Sequence, residues 1–283
     1  MLGKKHTKII KDLTLDEERA LYGSDGVQVI NCRFDGPADG ESALKESCNV
    51  DVRNSFFNLR YPFWHDTNLQ IDSSDMTELC RAALWYSKNI RITNTRMHGI
   101  KALRESSDII IENCDIESPE FGWFNNNVEM KNSKAESEYF MMHTKHLCFD
   151  NVLLKGKYSF QYIEDAVFTN CNFKTKDAFW HAKNIVVKDS VVNGEYLAWY
   201  SENVTFENCK IAGTQPLCYC KNLKLINCQM LDADLAFEKS DVEAIIINEV
   251  ISIKNPKSGK ICVSGVKNII SDDPESKCEI IVR

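Results

Sequence analysis

Apolar and polar positions repeat along this chain with a period of 19 residues. Apolar residues stand four and two positions before a recurring polar residue, with polar residues between them, as in Ile90 and Ile92 before Asn94. This alternation is typical of a strand with one buried face. We call the recurring polar residues corner residues. They are Asn31, Asn54, Ser73, Asn94, Asn113, Asn132, Asn151, Asn170, Asp189, Asn208, Asn227 and Asn248.

A second column of Asn and Asp lies five residues before the corner residues. Both residue types tolerate left-handed backbone angles and suit tight corners, and stacked amides can form hydrogen-bonded ladders. Apolar positions three residues after each corner, and twelve to eight residues before it, complete a pattern of three short strands per repeat. The sequence therefore predicts an all-β fold, a right-handed single-stranded parallel β-helix of about twelve 19-residue coils.

A leucine-rich repeat is the alternative fold, because it also places Asn after alternating apolar residues. The inward positions here mix Ile, Val, Phe and Met rather than following a Leu consensus, and the segments between corners have no helical period. The pattern favours the β-helix.

The ends of the chain depart from the repeat. We expect one domain, with an N-terminal cap at residues 1–25, the β-helix at residues 26–253 and an irregular C-terminal cap at residues 254–283. Residues 14–17 have the spacing of a capping box, which predicts a short helix in the first cap. Four extra residues in the second repeat predict a loop at residues 35–40.

Composition narrows the class of partner. The net charge is −7 and Lys and Arg form no run, so nucleic acid is not expected as a partner. Apolar stretches are too short for a membrane span or a signal peptide. Five of the twelve cysteines directly follow a corner residue, where other repeats carry Ser or Thr. Small size explains this column better than disulfide pairing, which favours a reducing, cytoplasmic location.

All five tryptophans stand nine residues before a corner residue. The column directly before the tryptophan column is strongly apolar, which predicts that it points inward and that the tryptophans point outward. The following position carries polar-tipped rings and acids and is expected where the strand ends. The predicted ligand-binding residues of these two columns are Lys45, Trp64, Trp85, Tyr86, Trp123, His143, Tyr162, Trp180, His181, Trp199 and Tyr200.

Three interpretations of the tryptophan column stay open. A surface column of Trp rimmed by Tyr, His and Glu favours an oligosaccharide ligand, because these side chains combine an apolar ring with a polar tip. An exposed apolar stripe equally marks a subunit interface, as in a non-catalytic scaffold that forms a homodimer. In the third interpretation both faces of the strand are buried and the tryptophans point into the core.

Candidate catalytic residues lie near one end of the column. His65 or Glu46 would act as general base, and Arg104 or Lys45 would stabilise negative charge or bind a uronate carboxylate, with Glu105 alongside. Glu46 and Glu105 are three coils apart, about 14 Å, which is too far for the carboxyl pair of a glycosidase. Structural ion pairing is the alternative role. An enzyme of this kind would resemble a polysaccharide lyase or a glycoside hydrolase.

Metal and cofactor sites are not expected. His65, His143 and His181 lie in different coils, with successive separations of roughly 19 Å and roughly 10 Å, so they cannot share one metal ion. The columns also lack the clustered Asp with which β-helix lyases commonly bind calcium.

Five segments carry a resemblance to a known family: residues 40–47, 61–64, 178–180, 194–199 and 235–238. With them, nearly the whole chain resembles a microbial family that is classed as a domain of unknown function and sometimes labelled as hydrogenase. The resemblance implies a pectate-lyase-like right-handed β-helix. Hydrogenase activity is not expected, because such enzymes need clustered thiolates, whereas these cysteines are spread along a column.

Overall fold

The computed structural model describes residues 8–38 and 40–283, which fall into two compact units that divide between Phe140 and Met141. All regular elements in these ranges are β-strands. Each unit is a parallel β-solenoid, and together they contain about 14 turns. The predicted all-β parallel β-helix is therefore confirmed. Within the described ranges, no helix has the length and apolar character that crossing a membrane requires.

The first unit consists of short strands, and each pairs in parallel with the strand one turn further along the chain. Its strands are β1 (Lys8–Lys11), β2 (Thr14–Leu15), β3 (Val27–Ile30), β4 (Arg33–Phe34), β5 (Cys48–Arg53), β6 (Phe56–Phe57), β7 (Thr67–Asp72), β8 (Asp75–Met76), β9 (Lys88–Thr93), β10 (Arg96–Met97), β11 (Ala102–Arg104), β12 (Ser107–Glu112), β13 (Asp115–Glu117), β14 (Glu120–Trp123) and β15 (Asn126–Phe140).

Two faces of this unit are stacks of parallel strands. One stack runs through β1, β3, β5, β7, β9, β12 and β15. The other runs through β2, β4, β6, β8, β10, β13 and β15. Ile90 pairs with Ile109, which pairs with Val128, so one step of the stack equals one 19-residue repeat. The inward columns predicted from the sequence lie directly on one another.

The second unit repeats this arrangement with longer strands at its C-terminal end. Its two stacks run through β16, β17, β19, β21, β23, β24, β25 and β26 and through β16, β18, β20, β22 and β23. Its strands are β16 (Lys145–Ser159), β17 (Glu164–Thr169), β18 (Asn172–Thr175), β19 (Lys183–Lys188), β20 (Val191–Asn193), β21 (Glu202–Glu207), β22 (Lys210–Ala212), β23 (Lys221–Leu231), β24 (Asp241–Lys254), β25 (Ser258–Ile270) and β26 (Glu279–Val282).

The third predicted strand of each repeat is wrong for most turns. At twelve, ten and eight residues before the corner, the backbone adopts positive φ in turn after turn, as in Tyr61, Phe63 and His65. Alternate left-handed residues wind the chain as a series of turns, and extended strands occupy this place only at β11, at β14 and at the ends of β15 and β16. This strained backbone is held by hydrogen bonds to both neighbouring turns, such as His65 N to Trp85 O and Phe63 N to Ala43 O.

The predicted N-terminal helix is also wrong. Thr14 and Leu15 form β2 and pair with Arg33 and Phe34, because the chain already follows the solenoid path and the carbonyls of Leu13 and Leu15 accept hydrogen bonds from amides of the next turn. Strands β1, β25 and β26 likewise lie in the segments expected to be caps. The predicted loop contains turns at 36–38, where Gly36 packs against the side chain of Asp16, while Asp39 lies outside the described residues.

Candidate functional site

The two predicted columns lie on the turn segment that replaces the third strand. Ten residues before the corner, side chains such as Phe63 and Phe179 are fully buried. The next position, which carries the tryptophans, is half-buried, and we call it the inner row. The position after that is exposed, and we call it the outer row. The tryptophan column, which the sequence predicted to face solvent, is only half-exposed, and the column after it is the more exposed one, because the left-handed residues on either side of each tryptophan turn the outer row outward.

Each indole of the inner row donates a hydrogen bond to a backbone carbonyl of the next turn. In the first unit Trp64 Nε1 donates to Ala82 O at 2.5 Å and Trp85 Nε1 to Lys101 O at 2.5 Å. Trp123 Nε1 donates to Tyr139 O at 3.3 Å. The polar edges of these indoles are therefore used within the fold.

Neighbouring side chains cover both faces of Trp64 and Trp85 and one face of Trp123. Trp64 and Trp85 stack with centroids 5.1 Å apart and planes 5° apart. Lys45 Nζ lies 5.5 Å from the ring of Trp64. The guanidinium of Arg104 lies 5.3 Å from the ring of Trp85 and 5.4 Å from that of Trp123, as in a cation–π sandwich. A sugar ring cannot stack on indole faces that other side chains already cover.

The inner row of the second unit repeats both contacts. Trp180 and Trp199 stack at 5.5 Å with planes 5° apart. Their indole nitrogens donate to Tyr196 O at 2.6 Å and Gln215 O at 2.7 Å. Gln161 occupies the same column and donates to Asp177 O at 3.0 Å. A side chain with an N–H group at this position thus donates to the backbone carbonyl at the same place in the next turn, twelve residues before its corner residue.

The outer row of the second unit is a continuous stack of five exposed or half-exposed rings. Centroid separations between neighbours are 4.6, 5.0, 5.2 and 4.8 Å, and the planes differ by 5 to 14°. Because the rings stack along the coils, their edges face solvent and present imidazole nitrogens and phenol oxygens. The rings of this row are His143, Tyr162, His181, Tyr200 and Tyr219.

Burial sets the protonation of two rings in this stack. It holds the pKa of His143 below its ordinary value, so the imidazole is neutral at neutral pH. Burial also raises the pKa of Tyr219, and the nearby charge of Glu238 adds to this effect. The row therefore presents neutral donors and acceptors at its two ends.

The outer row of the first unit is more varied. His65 stacks on Tyr86 at 4.9 Å with planes 14° apart, and Tyr86 is 39% exposed. Tyr22 donates a short hydrogen bond to Glu46, which raises the pKa of Tyr22 because the carboxylate favours the protonated phenol. Glu105 Oε1 lies 3.8 Å from Arg104 Nε.

A shallow groove of about 620 Å³ opens beside Arg104 in the first unit. Its lining includes Glu105, Ser106, Ser107, Phe124 and Asn126. The buried Nε of Arg104 lacks a hydrogen-bond partner within the described ranges. This groove combines a cation, hydroxyl groups and the exposed ring of Phe124, so it suits a small polar ligand with an acidic group.

The predicted site residues thus form rows rather than one cluster. Lys45, Trp64, Trp85, Arg104 and Trp123 form the inner row of the first unit. Glu46, His65, Tyr86 and Glu105 lie in its outer row. In the part of the chain that the structure describes, no three His, Cys, Asp or Glu side chains lie close enough to share a metal ion.

The set of predicted site residues left out three kinds of residue that contribute to the rows. Tyr219 and Phe124 belong to the outer row, and the repeat spacing was the signal that places them there. Tyr22, the partner of Glu46, lies in a turn where the repeat is interrupted, so its position could not be read from the period. Asp66 is buried behind the outer row, in a column that the other turns of the first unit fill with Ser or Asn.

Three solved structures match this chain at low sequence identity. The A-module of a mannuronan C-5 epimerase from Azotobacter vinelandii is 11% identical, over 83% of this chain and 88% of the module, with a TM-score of 0.35. A surface adhesin of Streptococcus pneumoniae is 11% identical, over 87% and 77%, with a TM-score of 0.42. An alginate lyase from a Paenibacillus species is 8% identical, over 83% and 97%, with a TM-score of 0.28. Function must be argued from the site itself.

A family assignment comes from the sequence match. No curated protein shows significant similarity to the chain. Residues 8–282 match the family model described as "Protein of unknown function (DUF3737)". The match spans nearly the whole chain and agrees with the resemblance noted in the sequence, so this protein belongs to the DUF3737 family.

Proposed function

We propose that the protein binds a linear, uncharged carbohydrate chain along the outer row of its second unit. The observation that carries this proposal is the stack of five rings on successive turns, with Tyr162 44% and Tyr200 48% exposed. Phenol and imidazole edges supply donors and acceptors for sugar hydroxyls. Their regular spacing, close to 5 Å, resembles the length of one sugar unit in an extended glycan.

The binding mode differs from the stacking platform expected from the sequence. Trp180 and Trp199 cover one face of each other and their indole edges are bonded to backbone, so the inner row serves as a rigid support. The ligand then meets ring edges of the outer row. A preformed row keeps the conformational cost of binding low, since its side chains are already ordered by stacking.

Charges beside the row support an uncharged ligand. Lys145 and Glu164, two residues after His143 and Tyr162, form an ion pair at 2.8 Å. Both signs of charge therefore flank the row. A polyanionic chain would gain little from a cation that already has a carboxylate partner.

The first unit carries the residues for a catalytic alternative. His65 is exposed and stacked on Tyr86, whereas Glu46 accepts a hydrogen bond from Tyr22. We therefore propose His65 rather than Glu46 as the general base if this unit acts on a sugar. Arg104 beside the groove would bind an acidic group of that substrate.

The proposal predicts a loss of binding when the outer row of the second unit is truncated. An array of linear oligosaccharides identifies the best-bound chain, and titration calorimetry then compares wild type with Tyr162→Ala, His181→Ala and Tyr200→Ala. Each variant should weaken binding about threefold to tenfold, because each removes about one hydrogen bond. Val167→Ala, which truncates an exposed apolar side chain outside the row, is the matched control and should leave binding unchanged.

The same row would otherwise serve self-association, since exposed Tyr is typical of interfaces. Sedimentation velocity on the same variants separates the two functions. A concentration-dependent dimer that Tyr200→Ala abolishes, together with the absence of any response on the array, would replace the carbohydrate proposal with a homodimeric scaffold.

A further inference from the structure

Behind the outer row of the first unit runs a buried column of polar side chains. Its members lie seven residues before the corners, and all of them except Asp66 make two kinds of hydrogen bond. Ser87 shows the pattern: its Oγ accepts from the amide of Asp66 at 3.0 Å and donates to the carbonyl of Phe63 at 2.9 Å. The column consists of Ser47, Asp66, Ser87, Ser106 and Asn125.

Asn125 fulfils the same two tasks with separate atoms. Its Oδ1 accepts from the amide of Ser106 at 2.9 Å. Its Nδ2 donates to the carbonyl of Leu103 at 3.1 Å. Each side chain in the column therefore needs two groups. An acceptor receives the amide of the column residue in the preceding turn, and a donor binds the carbonyl that lies three residues before that column residue.

Asp66 supplies the acceptor but, when ionised, has no donor. Its Oδ1 accepts from the amide of Ser47 at 2.9 Å. Its Oδ2 is buried, and among the described residues none donates a hydrogen bond to it. Ser87 and Asn125 donate to the carbonyls of Phe63 and Leu103 in their preceding turns. In the turn before Asp66, the carbonyl at this position of the repeat belongs to Leu44. An ionised carboxylate would set a negative oxygen against a carbonyl oxygen in a dry site, at a high cost in free energy.

Charged neighbours do not offset this cost. The titratable side chains of the adjoining segments are Lys45, Glu46, Cys48, His65, Tyr86 and Lys88, and all six are half-buried or exposed. Asp66 itself is 1% exposed. Burial raises the pKa of Asp66 to about 8, and the hydrogen bond from the Ser47 amide opposes only part of this increase.

We propose that Asp66 is a neutral carboxylic acid at neutral pH, that it donates its proton to the Leu44 carbonyl, and that its ionisation in alkaline solution loosens the turn bearing Glu46 and His65. The acid then takes the place of the Asn amide seen at Asn125. Alkaline pH thereby becomes a switch for this part of the outer row. The inference stands on the geometry of the column and does not depend on the carbohydrate proposal.

The first test is the stability of Asp66→Asn against pH. Between about pH 4 and about pH 8 folded Asp66 holds a proton that the unfolded chain releases, so the wild-type folding constant should fall up to tenfold per pH unit. Asp66→Asn keeps both hydrogen bonds and lacks this titration. The ratio of variant to wild-type folding constants, from urea denaturation, should therefore rise with pH and level off above about pH 8.

Two further variants make the result decisive. Asn125→Asp should create a second acid of the same kind and steepen the loss of stability with pH. Asp51→Asn applies the same chemical change to a buried aspartate that Arg53 binds at 2.8 Å, so it should destabilise without removing the alkaline titration.

Infrared difference spectra give a readout independent of stability. The carbonyl band of a protonated carboxylic acid should be present at neutral pH in wild type and Asp51→Asn, disappear above about pH 8, and be missing in Asp66→Asn. Absence of that band in wild type at neutral pH, or a pH-independent ratio of folding constants, would overturn the proposal.

Discussion

Four of the five tryptophans in the inner row have two structural contacts, a ring stack and a hydrogen bond to the next turn, whereas Trp123 has Arg104 over its ring in place of the stack. For Trp180 these are the stack on Trp199 and the bond to Tyr196 O at 2.6 Å. The carbonyl belongs to a residue with positive φ, which is a strained conformation for a residue other than Gly. The indole thus holds a strained turn of the neighbouring coil in place.

Two substitutions of Trp180 separate its ring stack from its indole hydrogen bond. Trp180→Phe keeps the stack but removes the donor to Tyr196 O, so the free energy of unfolding should fall by about 1 to 2 kcal/mol. Trp180→Ala removes both and should cost about 3 to 5 kcal/mol. Urea denaturation measures both values. His181→Phe keeps an exposed ring next door and is the control; a loss as large as that of Trp180→Phe would contradict the role of the indole bond.

At the scale of the element, the amide column five residues before the corners runs in one direction. Asn184, Asn203 and Asn222 each donate from Nδ2 to the side-chain oxygen of the residue nineteen positions earlier, at 2.8 to 2.9 Å. The first acceptor is Asp165. A carboxylate accepts and cannot donate, so an aspartate at the start fixes the direction of the ladder.

Substitutions of Asn203 separate two reasons for Asn at this corner, its ladder hydrogen bonds and its tolerance of positive φ. Its φ is 56°, so Asn203→Ala loses the ladder bonds and adds backbone strain, whereas Asn203→Gly loses the bonds without the strain. We expect the alanine variant to lose about 2 kcal/mol of unfolding free energy and the glycine variant about 1 kcal/mol. Equal losses, measured by urea denaturation, would show that positive φ has no part in the choice of Asn.

At the scale of the whole molecule, the register of the repeat decides which side chains are buried. Glu164 pairs with Lys183, which pairs with Glu202. Successive strands therefore align with the same 19-residue offset, so one turn can take the place of the next. Inward and outward positions alternate along each strand, and a shift by one residue would exchange them.

We expect the solenoid to tolerate the deletion of one complete turn, because such a deletion preserves the register. Removing residues 183–201, one repeat of 19, joins Ala182 to Glu202 and lets β21 take the place of β19. This protein should retain a cooperative unfolding transition. Removing only residues 183–200 turns the buried positions outward and should abolish that transition, as judged by circular dichroism during urea denaturation. Similar unfolding of both deletions would contradict register as the determinant.

Much of the fold was predictable, because its determinants are periodic. Alternating side chains such as Ile90 and Ile92 report a buried strand face by themselves, and Asn at fixed intervals reports corners with positive φ. The candidate site was predictable as a set of residues. Its orientation was not, since Phe63, Trp64 and His65 lie in a segment whose φ angles alternate in sign.

The sequence alone determined the period, the inward columns and the membership of both ring rows, since each depends only on spacing along the chain. Tertiary structure decided which row meets solvent, because bonds between turns hold Phe63 and His65 left-handed and rotate the outer row outward. It also decided against a helix at Thr14, since that segment pairs with β4. The protonation assigned to Asp66 depends on burial against a neighbouring turn, which spacing along one chain does not reveal.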